Sequence, residues 1–139
     1  MDKCNAKELL SSHNLKATKQ RVLILDEIIN NLHLFTANTI FELVSENVDL
    51  VTVYRVLNKF LEEGIVREIL GQGDSKTYEL SCIHNPVHPH FSCSKCGKLF
   101  CLKAVKESIL SDLEDGCDGF TVNEITIQFS GICKSCSSL

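Results

Sequence analysis

Between Thr18 and Asn31 the apolar residues Val22, Leu23, Leu25, Ile28 and Ile29 gather on one broad face at the helical period, with Thr18 placed as N-cap. A second helix is expected over 36–46, capped by Thr36, with Ile40, Leu43 and Val44 turned inward. A third is expected over 52–63, where Val53, Leu57, Phe60 and Leu61 mark the buried face and Gly64 is placed to end it. After Gly64 the period changes to two. Residues 65–70 read as a strand, 71–75 as a Gly-rich turn, and 76–80 as the returning strand. Three short helices followed by a hairpin is the order of a winged helix-turn-helix, although other small α+β domains share it.

Beyond Leu80 the pattern breaks, and Asn85-Pro86 marks a turn or hinge. The expected organisation is a first domain over 1–81, a hinge over 82–87 and a second domain over 88–139. In the second, 90–93 and 99–102 read as short strands around a C-x-x-C-G-K turn. Residues 104–113 read as a helix with Val105, Ile109 and Leu113 on one side, and the alternation of 120–130 predicts a long strand. The fold class is therefore α+β, with an N-terminal winged-helix domain and a C-terminal α/β domain.

Composition sets bounds on this picture. A chain of 139 residues with 44% hydrophobic and 23% charged residues is an ordinary globular sequence of one or two small domains. No apolar run approaches the length of a membrane span, and no signal-peptide pattern precedes Ser11, so a cytoplasmic location with reduced thiols is expected and no membrane partner. The formal charge is −4, and residues 1–80 carry nine Lys/Arg against twelve Asp/Glu. Any contact with nucleic acid must therefore come from a local patch rather than a bulk field. The third helix offers one: Thr52, Arg55 and Lys59 share an exposed stripe with Tyr54 and Asn58 alongside. Such hydroxyl, guanidinium, amine and amide groups suit a major groove, while a plain solvated face is the alternative.

The eight cysteines carry the strongest chemistry. Cys93-x-x-Cys96 and Cys133-x-x-Cys136 each aim two sulfurs from one tight turn, and together they complete a tetrahedral Cys4 zinc site in preference to redox dithiols. That site has no open position, so it should hold structural zinc permanently. Cys4 and Cys117 have no assigned role.

Several stretches then point one way: K-A-T-K-Q-R at 16–21, H-L-F-T-A-N-T-I at 33–40, T-V-Y-R-V-L-N at 52–58, Y-E-L at 78–80, H-P-H-F-S-C-S-K-C-G-K at 88–98 and G-I-C-K-S-C at 131–136. With these motifs in this order, the chain resembles the ferric uptake regulator family of bacterial metal-dependent repressors, which includes iron, zinc, manganese and peroxide sensors. The resemblance covers nearly the full length. It implies a winged-helix DNA-binding domain, a C-terminal dimerisation domain, and a homodimer that binds a palindromic double-stranded operator when a regulatory metal is loaded. It places Tyr54 and Arg55 against DNA, with Lys16 and Arg21 nearby on the phosphates.

The resemblance also supplies candidates for the regulatory metal. They are His33 and Glu79 from the first domain, Cys82 and His84 in the hinge, and His88, His90 and Cys101 beyond it. His88 and His90 would share one face of a plain strand. His33 matches a histidine that iron and peroxide sensors use, and Glu79 matches their acidic ligand. Cys101 stands where those sensors carry a carboxylate, and Cys82 where zinc sensors carry a cysteine. Thiolate and imidazole together favour zinc, whereas oxygen-rich sites favour iron or manganese. A zinc-type site with Cys82, His88 and His90, completed by His33, Glu79, Glu68 or Cys101, is therefore expected, with iron(II) or manganese as the alternative. Two metals per chain follow. A zinc-dependent or thiol redox enzyme is the competing class, but no H-E-x-x-H and no nucleophile–base pair accompanies the cluster, and no small-molecule substrate is implied.

Overall fold

Asn5, Thr18, Thr36 and Asp49 all stand in extended backbone, and each accepts a backbone N–H through its side-chain oxygen at the start of a helix. These caps open α1 (Ala6–Ser12), α2 (Lys19–Asn31), α3 (Ala37–Val44) and α4 (Leu50–Glu62). The structure is a computed structural model that describes residues 4–70, 76–82 and 86–138. At Thr36 the cap is reciprocal: Thr39 N–H donates to the Thr36 hydroxyl, and the Thr39 hydroxyl accepts from Thr36 N–H.

Two features of the helical layer depart from expectation. Helix α1 is additional, started by Asn5 accepting from Glu8 N–H at 3.1 Å. Helix α4 begins two residues before Thr52, because Asp49 takes Thr52 N–H at 2.8 Å and provides the cap. Gly64 stops α4 as expected, at φ +77°, where a side chain would be strained. Leu10, Ile24, Leu25, Ile28, Ile40, Val44, Val53, Leu57 and Phe60 interlock as one core beneath the four helices. Leu43, expected inward, is exposed instead; the short α3 buries only Ala37, Ile40 and Val44.

The period-two segments pair as predicted. Strands β1 (Val66–Ile69) and β2 (Thr77–Leu80) run antiparallel, with Arg67 opposite Glu79 and Glu68 opposite Tyr78. Phe35 exchanges both backbone hydrogen bonds with Tyr78, tying the approach to α3 onto the hairpin. The expected turn at 71–75 lies outside the described residues, as do His84 and the hinge residue Asn85.

The chain divides into two units, one holding the described residues from 4 to 82 and the other those from 86 to 138. The second is built on β3 (His90–Cys93), which pairs antiparallel with β4 (Leu99–Cys101) and parallel with β5 (Gln128–Gly131). Helix α5 (Glu107–Asp115) precedes β5, and a single turn, α6 (Lys134–Ser137), follows it.

Here the alternation of 120–130 misleads. Only 128–131 form a strand, because β3 offers four residues of ladder, and the contact ends where His90 N–H donates to Ile127 carbonyl at 3.1 Å. Helix α5 also starts three residues later than expected, since the backbone at Lys106 is still extended. Its apolar positions Ile109 and Leu113 are exposed, as are Phe100, Leu102, Phe120, Val122, Phe129 and Ile132. No helix among the described residues is long and apolar enough to cross a membrane.

Candidate functional sites

The turn at 94–96 folds back because Gly97 N–H donates to Cys93 carbonyl at 2.9 Å, with Gly97 itself at φ +75°. That fold aims Cys93 and Cys96 the same way. The parallel ladder sets Gly131 beside Cys93, so the chain leaving β5 delivers Cys133 and Cys136 to the same point. The four ligand atoms lie within 4.8 Å of one another, and Cys96 Sγ is 3.9 Å from Cys133 Sγ. A tetrahedral zinc with Zn–S near 2.3 Å requires sulfurs about 3.8 Å apart, so the thiols fit the ion. Four cysteines, two flanking an exposed turn and two past the end of a strand, are arranged as a closed structural zinc site.

The sulfurs are not equivalent. Backbone N–H groups of Cys96 and Cys133 donate to Cys93 Sγ, each at 3.4 Å, and pull its thiol down to about 6. Hydrogen bonding to Cys133, and then burial, pushes Cys136 up to about 12. At pH 7 Cys93 is already mostly thiolate, whereas Cys136 must give up its proton when metal enters. Zinc uptake by the demetallated protein is therefore expected to release protons, and affinity should fall more steeply below the Cys93 value of about 6, where that thiol must be deprotonated too. Chelator competition from about pH 8 down to about pH 5 checks this; an affinity flat across that window would contradict it.

A second cluster lies three residues away on the same strand. His90 and Cys101 are directly opposed in the β3–β4 ladder, so their side chains leave the same face as a cross-strand pair. His88 precedes the strand, so simple alternation does not place it. Its Nδ1 lies 3.0 Å from Pro86 carbonyl, and the tautomer that donates there carries its ring lone pair on the buried Nε2. The two imidazole rings sit 4.5 Å apart, and the ligand atoms of His88, His90 and Cys101 all fall within 4.8 Å of one another. Both histidines are buried and Cys101 is half-buried. Two imidazole nitrogens and a thiolate sulfur suit a borderline ion such as zinc.

The remaining expected ligands belong to the first unit. Glu79 on β2 is 0% exposed, and its Oε1 accepts from Arg67 Nε at 2.5 Å. His33 is exposed between α2 and α3, and Glu68 is exposed on β1. Cys82 is half-buried and lines a groove of about 360 Å³ with Cys4, Glu8 and His13.

Helix α4 presents the nucleic-acid candidates. With Val53, Val56, Leu57 and Phe60 buried, Tyr54, Arg55 and Asn58 are exposed. Lys59 reaches Glu63 at 3.4 Å and Glu62 at 3.8 Å, so its charge is already partly answered on the helix. Thr52 serves the Asp49 cap through both backbone and side chain, and with Arg55 this holds the Asp49 carboxyl below its usual range. Lys16 is exposed, and its carbonyl accepts from Arg21 Nη1 at 3.0 Å. A cleft of about 400 Å³ beside Tyr54 and Asn58 is closed by Asn38 at the start of α3 and by Lys76 next to β2. Asn38 and Lys76 escape the sequence reading, because only the packed fold brings them to one cleft.

The sequence profile of the ferric uptake regulator family matches residues 12–130. The chain is 37% identical over 99 residues to a "Ferric uptake regulation protein" of Haemophilus ducreyi, a match that spans 67% of this chain and 65% of that relative. It is 27% identical over 135 residues to the "Peroxide operon regulator" of Bacillus subtilis, covering 95% and 91% respectively. Among solved structures, the ferric uptake regulator of Pseudomonas aeruginosa with manganese shares the fold at a TM-score of 0.78, with 23% identity over 94% of this chain and 99% of that one.

Proposed function

The chain belongs to the ferric uptake regulator family of metal-responsive regulators, and on that premise we propose that it is a zinc-sensing repressor that binds a palindromic operator as a metal-loaded homodimer. One observation carries the choice of metal: a thiol, Cys101, converges with His88 and His90. In this reading Glu79 supplies the acidic ligand from the first unit, and His33 and Cys82 are the further donors. The Cys4 zinc is structural and stays in place. When bound, the regulatory ion supplies positive charge and links donors from separate parts of the chain. The protein's own contribution is to hold two imidazoles and a thiol in register before metal arrives.

Operator contact falls to Tyr54, Arg55 and Thr52 on α4, with Lys59 beside them and Lys16 and Arg21 toward the phosphates. The exposed cleft at Tyr54 and Asn58 supports this reading, since a groove-reading helix needs polar side chains free of the core. Dimerisation falls to the second unit. Its exposed apolar side chains, Phe120 at 78% foremost, exceed what scattered surface hydrophobics explain and suit burial against a second copy. Leu113→Glu is expected to shift the protein toward monomer in light scattering while the zinc content stays unchanged.

Iron(II) is the second reading, favoured by the identity to iron and peroxide regulators. Fluorescence anisotropy on a duplex palindrome, selected in vitro with metal-loaded protein, separates the two. Zinc, manganese or anaerobic iron(II) is added in separate titrations. Tightening with zinc at the lowest free concentration supports the zinc reading; tightening with iron(II) alone replaces it; no binding under any metal removes the repressor assignment. Arg55→Ala should weaken binding with every metal alike.

A further inference from the structure

A carboxylate with no solvent exposure is tolerated only where a positive charge or several donors answer it. Glu79 meets that condition through Arg67, its directly opposed partner across the β1–β2 ladder, whose Nε lies 2.5 Å from Glu79 Oε1. The Arg67 side chain keeps only 20% of its surface exposed, so solvent screens this pair weakly. The register forces the arrangement, since both side chains leave the same face of a two-stranded hairpin at the same level. We propose that Arg67 is a resident counter-cation for Glu79 that competes with the regulatory metal and so sets the metal concentration at which the protein responds.

This rests on the reading that Glu79 ligates that metal. The physical content is a coupling between two cations through one anion. With Arg67 in place, Glu79 is held in one orientation, but an arriving divalent ion meets a carboxylate already paired and a guanidinium that repels it. Without that charge, an arriving ion no longer competes with the guanidinium for the carboxylate, and metal binding gains what the arginine had been supplying. Arg67 thus acts through Glu79, as a positioning and threshold-setting residue rather than a ligand. The sequence gives a simple pointer to it: once the hairpin register is known, the residue opposite a predicted acidic ligand is the one to examine.

The test is a competition titration of zinc against a chelator of known affinity, on full-length protein with its structural zinc retained. Arg67→Gln keeps an N–H donor but removes the charge. It is expected to tighten the regulatory site on the order of tenfold, within the usual range for coupled sites. Arg67→Lys restores the charge and should return the affinity to near wild type. Glu79→Gln should weaken it, and Arg67→Gln combined with Glu79→Gln should match Glu79→Gln alone. Loading the site first and withdrawing metal into the chelator gives the same reading if the metal-free Arg67→Gln protein folds poorly. Equal or weaker binding by Arg67→Gln overturns the proposal, as does tightening that persists without the Glu79 carboxylate. A Glu79→Gln protein that binds zinc like wild type removes Glu79 from the site and the proposal with it.

Discussion

Cys133→Ser is expected to cost the protein its structural zinc and, with it, the ordered state of residues 86–138. The reason lies in what that unit buries. Its buried side chains among the described residues are few: Cys93 and Cys133 themselves, Pro89, and the polar groups His88, His90 and Ser92. Helix α5 buries nothing, and a three-stranded sheet of such short strands cannot stand on its ladder alone. The metal takes the place of a core, and structural zinc is worth about 10–16 kcal/mol in apparent binding free energy at pH 7 in small domains. The first unit has its own packed core and should be spared. Amide exchange across 90–101 should rise to near-unfolded rates in the variant, with the protection of α2 and α4 unchanged. Retention of wild-type protection in β3 would show that zinc is not what holds this unit together.

That division of labour explains which parts of the chain were legible beforehand. In the first unit the core is made by periodicity, so α2, α3, α4 and the hairpin follow from the positions of Ile, Leu, Val and Phe, and the errors are confined to ends. Asp49 captures Thr52 N–H and extends α4 backwards, and Asn5 nucleates a helix too short to show a period. In the second unit periodicity has little core to report. Phe120 and Val122 are spaced as on one face of a strand, yet both are exposed and the ladder on β3 begins only at Gln128; the apolar face they advertise is one that a single copy does not bury. The ligands were legible for another reason. Two C-x-x-C turns specify a metal by local geometry, and only the ladder that brings them together is non-local. Cys101 needed that ladder: its place opposite His90 depends on the β3–β4 register, which the C-x-x-C-G-K turn sets. Arg67 was hidden for the same reason.

His90→Ala is the complementary experiment, expected to leave the fold and remove the response. His90 is 3% exposed, stands opposite Cys101 and has its ring 4.5 Å from that of His88 and tilted against it, so it is placed beside both other donors. Without it, His88 and Cys101 remain as separate donors, and regulatory affinity should fall by more than the roughly 10–100-fold typical of losing an outer-sphere partner. The metal-dependent gain in operator affinity should then vanish at metal concentrations that saturate the wild type, a loss on the order of 5–150-fold for a typical coupled pair of sites. Cys93 lies only three residues further along β3, so the control is the zinc content: one tightly held zinc per chain should survive, reported by native mass spectrometry. Cys101→Asp then asks a narrower question of the same site. It keeps a negatively charged donor but exchanges sulfur for oxygen, which should lower zinc affinity while sparing iron(II) or manganese. A His90→Ala protein that answers zinc as the wild type does would move the sensor elsewhere in the chain. A Cys101→Asp protein with unchanged zinc preference would leave the thiol as a bystander and return the choice of metal to iron.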